Sequence, residues 1–358
     1  MPDSGRTDVH PPPLRNQLTV QDMTAVGDEV WAVGRAAFPG PTLIAHSAGG
    51  EPWQLTSYST SPEAMFTDLA GVHATSSADV WGVGSDGVLP RTHIAHNDGT
   101  TWQPVESPGD ADGSHLSAVA ARGRDDAFAV GSRRPQPAGP MSPALPPLAA
   151  WDTLAVRWDG ARWTAVPGPG SGHGILSSVC AVGPGAYWAA GTTALSTRSG
   201  NFALLAHYAD ERWQEADVEV AGALHAVAAV GPDDIWAVGQ DQDPNHPPQP
   251  LILRHDGHDW APVTPPTIPG QSWLNGVACA GRDNVWAVGV QDHDGAQIGP
   301  LIMHFDGAAW TVIDPPATAA PAVLQAVVIL PGGDAYAAGI ASSVSADSGY
   351  TIPLVTHA

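Results

Sequence analysis

Residues 285–289 read Val285-Trp286-Ala287-Val288-Gly289, and this five-residue phrase recurs along the chain. It stands as Val30-Trp31-Ala32-Val33-Gly34, Val80-Trp81-Gly82-Val83-Gly84 and Ile235-Trp236-Ala237-Val238-Gly239. Looser copies are Ala127-Phe128-Ala129-Val130-Gly131, Tyr187-Trp188-Ala189-Ala190-Gly191 and Ala335-Tyr336-Ala337-Ala338-Gly339. The closing glycines fall at 34, 84, 131, 191, 239, 289 and 339, and a regular period of roughly fifty residues marks a repeat architecture.

Working outward from the phrase, each unit has one grammar. An apolar segment such as Leu224-His225-Ala226-Val227-Ala228 comes first, then a polar turn (Asp233-Asp234), then the phrase itself. A third strand such as Leu301-Ile302-Met303-His304 follows a variable loop. A tight Asp306-Gly307 turn leads to a fourth strand opened by Trp310. The fourth-strand tryptophans are Trp53, Trp102, Trp163, Trp213, Trp260 and Trp310. Four short strands with an aromatic marker and no helical periodicity predict a propeller blade. The blades are expected at about 18–58, 67–107, 114–168, 173–218, 222–265, 272–315 and 322–358. The seventh unit stops after its third strand, and Asp3 to Pro13 parallels Asp306 to Pro316, with Thr7 in place of Trp310 and Val9 in place of Val312. The expectation is an all-β, seven-bladed single domain over 1–358, four antiparallel strands per blade. The N-terminal strand would complete blade seven and remove an exposed sheet edge.

These units resemble the bacterial seven-bladed β-propellers with tandem WAVG, HxDG and W elements, in the broad sialidase- and Kelch-like class. The turn Asp98-Gly99-Thr100-Thr101-Trp102 is similar to the Asp-box hairpin of sialidases but one residue shorter. Kelch double glycines and the WD-repeat pattern are absent. The resemblance covers residues 3–358 and implies the fold; it does not imply an activity, because propellers host hydrolases, lyases, lectins and scaffolds alike.

Composition excludes several classes. The 14 basic residues are all arginine, and 36 acidic residues leave a formal charge of −22. With no lysine there is no Schiff-base residue, pyridoxal anchor or Walker-type loop. An acidic chain also argues against nucleic acid or an anionic membrane as partner. The first twenty residues lack the basic start and apolar core of a signal peptide, and no run approaches the ~18 apolar residues of a membrane span. A soluble cytoplasmic protein is expected. Cys180 and Cys279 are too few for a disulfide framework or thiolate metal site and read as buried fillers.

Function is sought in what the repeat does not explain. His46, His96, His207, His304 and His357 share one third-strand position, where Arg157 and Arg254 stand in two blades, so they read as scaffold. His73 reads as a core residue. Of the 14 tryptophans, Trp151 and Trp273 have no repeat role. His115, His173, His246 and His293 map with them to one face, the mouth formed by second-to-third-strand loops, and His225 is expected just below it. Asp110 and Asp112, Asp241 and Asp243, and Asp292 and Asp294 lie at Asp-x-Asp spacing, which can direct oxygens at a hard cation such as calcium or magnesium. The loop 132–153 carries six prolines and ends at Trp151-Asp152, and is a candidate lid over that mouth.

The resulting expectation is a small-molecule or short-peptide site at one channel mouth. Histidine acid–base chemistry of a lyase, isomerase, cyclase or hydrolase is expected there, with Ca or Mg as an optional assistant. His225 is the expected base, with His115 or His173 as partner. Trp151, Trp273, His246 and His293 would bind the ligand, Asp241, Asp243, Asp292 and Asp294 the cation, and the acidic rim would favour a neutral or cationic ligand. The competing expectation is a non-catalytic propeller, either a protein-interaction scaffold or a sugar-binding module. A lectin of that kind repeats its binding residues from blade to blade, whereas these candidates are confined to blades three to six.

Overall fold

The computed structural model describes residues 19–35, 42–59, 67–88, 90–108, 113–134, 151–170, 173–193, 200–293, 297–315, 322–341 and 349–354. They form six antiparallel sheets of four strands and a seventh of three. Blade five shows the plan: strands Gly222–Gly231, Asp234–Asp241, Pro250–His255 and Trp260–Pro262 pair in chain order. The three-stranded sheet is Ala322–Ile329, Ala335–Ala341 and Gly349–Leu354. The expectation of seven four-stranded blades is therefore corrected to six complete blades and one shorter sheet. Residues 3–13, assigned to the missing strand, lie outside the described residues, as does His357.

First strands pack against one another in chain order, and the three-stranded sheet returns to pack on the first strand of blade one, Thr19–Val26. At that junction Tyr336 shares a core cluster with Val20, Val30 and Trp53. Each fourth-strand tryptophan is a wedge between blades. Trp163 meets Trp81 edge-on at 5.2 Å, Trp213 meets Phe128 at 5.4 Å, Trp260 meets Trp188 at 5.2 Å and Trp310 meets Trp236 at 5.4 Å. Edge-to-face contact suits the aromatic quadrupole and adds about 1 kcal/mol to the burial of each ring.

Three of the recurrent histidines are tied into their own blades. His46 Nε2 lies 3.1 Å from Glu29, His96 Nε2 2.7 Å from Asp79 and His304 Nε2 3.1 Å from Asn284. Each ring also rests on the tryptophan of its own phrase. In blade five Arg254 substitutes, bonding Asp234 at 2.8 Å with its guanidinium 4.7 Å from the Trp236 ring. The Asp-Gly turns are equally local. Asp256 Oδ1 accepts the N–H groups of His258 and Asp259, and Gly257 sits at φ +98°, where a side chain is strained.

Candidate functional site

The closing glycine of each phrase builds the channel wall. A Cβ placed on Gly239 would stand 1.9 Å from the carbonyl oxygen of Ala223, and the other six closing glycines face the same contact at 1.9–2.0 Å. That close approach lets the first strand bulge. Leu224 pairs with Gly239 and Ala226 with Val238, so His225 is left out of the ladder. The same skip occurs at Gln21, Ala70, Ser117, Ser177, Asn275 and Gln325. Bulges re-aim side chains. All seven bulge residues line one central cavity of about 720 Å³.

Neighbouring first strands are tied through this wall. His225 Nδ1 donates to the Leu274 carbonyl at 2.8 Å, and Asn275 Nδ2 donates to the Leu324 carbonyl at 2.8 Å. One step beyond the bulge, the Asp22 carboxylate accepts the N–H groups of Met23 (2.8 Å) and Val72 (2.9 Å), while Ser178 Oγ accepts that of Val227 (3.2 Å). Thr24 Oγ1 and His73 Nδ1 accept from Ala74 and Ala121.

Charge in the cavity is tuned by burial. Desolvation pushes the Asp22 carboxyl up from 3.8 to about 7, against the pull of its two backbone donors. Burial drives His73 down to about 4 and lowers His225, so both rings are neutral near pH 7. The tautomers are opposite. His225 spends its proton on Leu274 and keeps Nε2 as an acceptor, whereas His73 accepts through Nδ1 and carries its proton on Nε2. Cys180 and Cys279 also line the channel, and burial pushes the Cys180 thiol up to about 12, making it a poor nucleophile.

Asp22 yields a stability prediction. A carboxyl whose folded pKa is raised contributes stability that is present below its ordinary 3.8 and lost as pH rises through about 7. Asp22→Asn removes that titration, so urea midpoints of the variant should gain on the wild type between about pH 4 and 7. A pH-independent difference would contradict the placement.

Other residues singled out by sequence are not part of the cavity wall. His115 and Trp273 occupy one register position on their strands, opposite Ser132 and Val290. The His115 ring meets Trp151 edge-on at 6.3 Å, and its Nε2 lies 3.3 Å from Ser132 Oγ. Burial lowers the His115 pKa, opposed by Asp68. His173 Nδ1 lies 3.5 Å from Asp152, which also binds Arg133 at 2.7 Å. Trp273 is half-buried. Of the residues singled out for the site His225 lines the cavity, as does the core residue His73, whereas His115, His173, Trp151, Trp273 and His246 are not among its lining residues. Each ring has a partner of its own: His225 the Leu274 carbonyl, His115 Ser132 and Trp151, His173 Asp152.

His246 sits 3.6 Å from both Asp241 and Asp243, and the Pro247 carbonyl followed by those carboxylates raises its pKa. One oxygen of each carboxylate is already used within the loop. Asp241 accepts the Gln249 N–H and Asp243 accepts both nitrogens of Asn245, so the oxygens turn into their own loop. Among the described residues no group of three or more His, Cys, Asp or Glu could hold a metal ion. Asp292 pairs with Ile298 one residue before the end of its strand. The side chain of His293, and all of Asp294, Asp110, Asp112 and the loop 135–150, lie outside the described residues.

No family model and no curated protein sequence matches this chain. Solved structures do. U3-55K superposes with a TM-score of 0.63 at 12% identity, covering 98% of this chain and 100% of that one. YCF48 bound to D1 peptide gives 0.59 at 14% identity over 97% and 98%. The fold is a β-propeller. The Pyrococcus horikoshii acylaminoacyl peptidase gives 0.55 at 9% identity over 95% of this chain but 52% of its own. At such identities the likeness carries architecture and not activity. Among the described residues no helix is long and apolar enough to cross a membrane.

The polar wall at Gln21, Asp22, Asn275 and Gln325 was not singled out by sequence. Its signal was available: the residue after the apolar partner of each closing glycine varies from unit to unit, while that partner is Leu or Val throughout.

Proposed function

We propose that this chain is a single-site binding propeller, which takes a small molecule or the end of a short peptide into its central channel. The observation that supports this most is the cavity wall, where His225, Asn275, Gln325, Gln21 and two serines break the repeat at equivalent positions. A wall whose polar groups differ from strand to strand presents one asymmetric set of donors and acceptors. It would not offer several equivalent lectin-like sites. His115, Trp151, Trp273, His173 and His246 flank the entrance in this reading, and the lid assignment of the loop 132–153 stays part of it. Among the described residues the exposed large apolar side chains, Leu55, Val88, Val230, Ile298, Val312 and Ile340, are dispersed over blades one, two, five and six and the three-stranded sheet, which favours the pocket over a broad docking face. Residues 3–13 are assigned the strand that would complete a seventh blade.

The reading is tested by calorimetry on a set of small polar compounds and tripeptides. One site per chain is expected. His225→Ala should weaken binding about tenfold, equivalent to one lost hydrogen bond in a shielded site, with a stability loss of about 1 kcal/mol from the Leu274 bond. Several equivalent sites, or unchanged affinity in His225→Ala, would overturn it.

A further inference from the structure

Asp22 and Ser178 occupy the same place in the repeat, opposite Val33 and Ala190 and one residue past the bulge. Both accept a backbone N–H from the next first strand. Ser178 shows that this tie needs only a neutral acceptor, so the formal charge of Asp22 is left over once the tie is explained. The carboxylate lines the cavity, and among the described residues it has no ion-pair partner. The first strand on one side brings neutral His73, and the strand on the other brings Gln325 and Ala326. Arg122 is the other charged residue of the wall, on the strand Ser114–Gly123 of blade three, two sheets away from Asp22. An uncompensated charge in a low-dielectric site is costly and is relieved by an opposite charge.

We infer that the group received in the channel is an organic ammonium, with Asp22 as its counter-charge. This rests on the binding reading above and names its ligand class. The formal charge of −22 adds a long-range attraction for such a cation. Asp22 would then be the specificity-determining residue, with the Nε2 acceptor of His225 and the amide oxygens of Asn275, Gln21 and Gln325 as neutral partners for the ammonium protons.

The probes are 2-phenylethylammonium against its neutral counterpart 2-phenylethanol, and the tripeptide Phe-Gly-Gly against its N-acetyl form. Titrations run at about 0.15 M ionic strength, where exposed charges are screened beyond ~8 Å. We expect one site per chain and at least about tenfold tighter binding of the charged member of a pair. The pair showing the larger ratio identifies whether a free amine or a peptide amino terminus is the better fit. Asp22→Asn should erase the ratio and leave the neutral member unchanged. A ratio near one, or a ratio that survives Asp22→Asn, overturns the inference. Equal single-site binding of both members that Ala70→Trp abolishes would leave the channel reading standing while the ammonium fails; binding by none of the four probes would sink the ammonium and the channel reading together. A second measurement uses the wild-type protein alone. At pH 7 the cation should expel a proton from Asp22, so the binding heat should differ between phosphate and Tris buffers. His73 and His225 are already neutral and the thiols of Cys180 and Cys279 are held protonated by burial, so none of them supplies that proton. Buffer-independent heats would count against the inference.

Discussion

Gly239→Ala is expected to lower stability by about 3 kcal/mol or more, because the new methyl would sit 1.9 Å from the Ala223 carbonyl oxygen and backbone must move. The neighbouring substitution Gly231→Ala is the control. That glycine has nothing within 4 Å of an added Cβ and a φ open to any residue, so alanine there should be neutral or stabilising by up to ~1 kcal/mol. Both variants keep the hydrophobic content of blade five, so only the carbonyl contact separates them. Urea denaturation of the pair gives the comparison. Equal midpoints would mean that the glycine of the repeated phrase has another purpose than making room for the bulge. The damage should also reach function, since straightening the bulge withdraws His225 from the channel wall.

Ala70→Trp is expected to cost at least about a hundredfold in affinity, some 2.7 kcal/mol, while the melting temperature barely changes. Ala70 is the one bulge residue without a polar side chain, and its methyl opens on the cavity. An indole there can extend into the void without displacing a core atom. Its neighbour Leu69 is completely buried in a core cluster with Val33 and Ile44 and could not be enlarged without overpacking. A tryptophan variant that folds and binds as well as the wild type would place the ligand elsewhere on the molecule.

Much of the architecture is legible in the sequence for a physical reason. A strand buried on both faces must be apolar throughout, so Val285-Trp286-Ala287-Val288-Gly289 and its copies stand out as short dense phrases. The six fourth-strand tryptophans mark a contact every blade must make, and His96 or His304 recur because each clamps a second-strand turn. The site is less legible. Asp22, Asn275 and Gln325 look like ordinary polar residues in half-buried strands until the register skip at the closing glycine is known, and that skip is a property of pairing, not of any local motif. Histidine and tryptophan draw notice by rarity, which leads to His115, Trp151 and His173. The fold gives each of those a partner of its own and leaves His225 in the wall. The Asp-x-Asp pairs draw notice by their spacing, but in the short acidic loop 241–249 carboxylate oxygens are used within the loop itself.

The register skip has an evolutionary consequence. Because the carbonyl–glycine contact holds the backbone and the skipped residue merely projects from it, scaffold and specificity are written in different letters of the same strand. Seven such letters face a shared void, one per sheet. Mutation can exchange them independently, as Ala70, Ser117, His225 and Asn275 already illustrate. A lineage built on this frame could drift from one ligand to another without passing through an unstable intermediate, and a combinatorial library confined to those positions would search the same space in the laboratory.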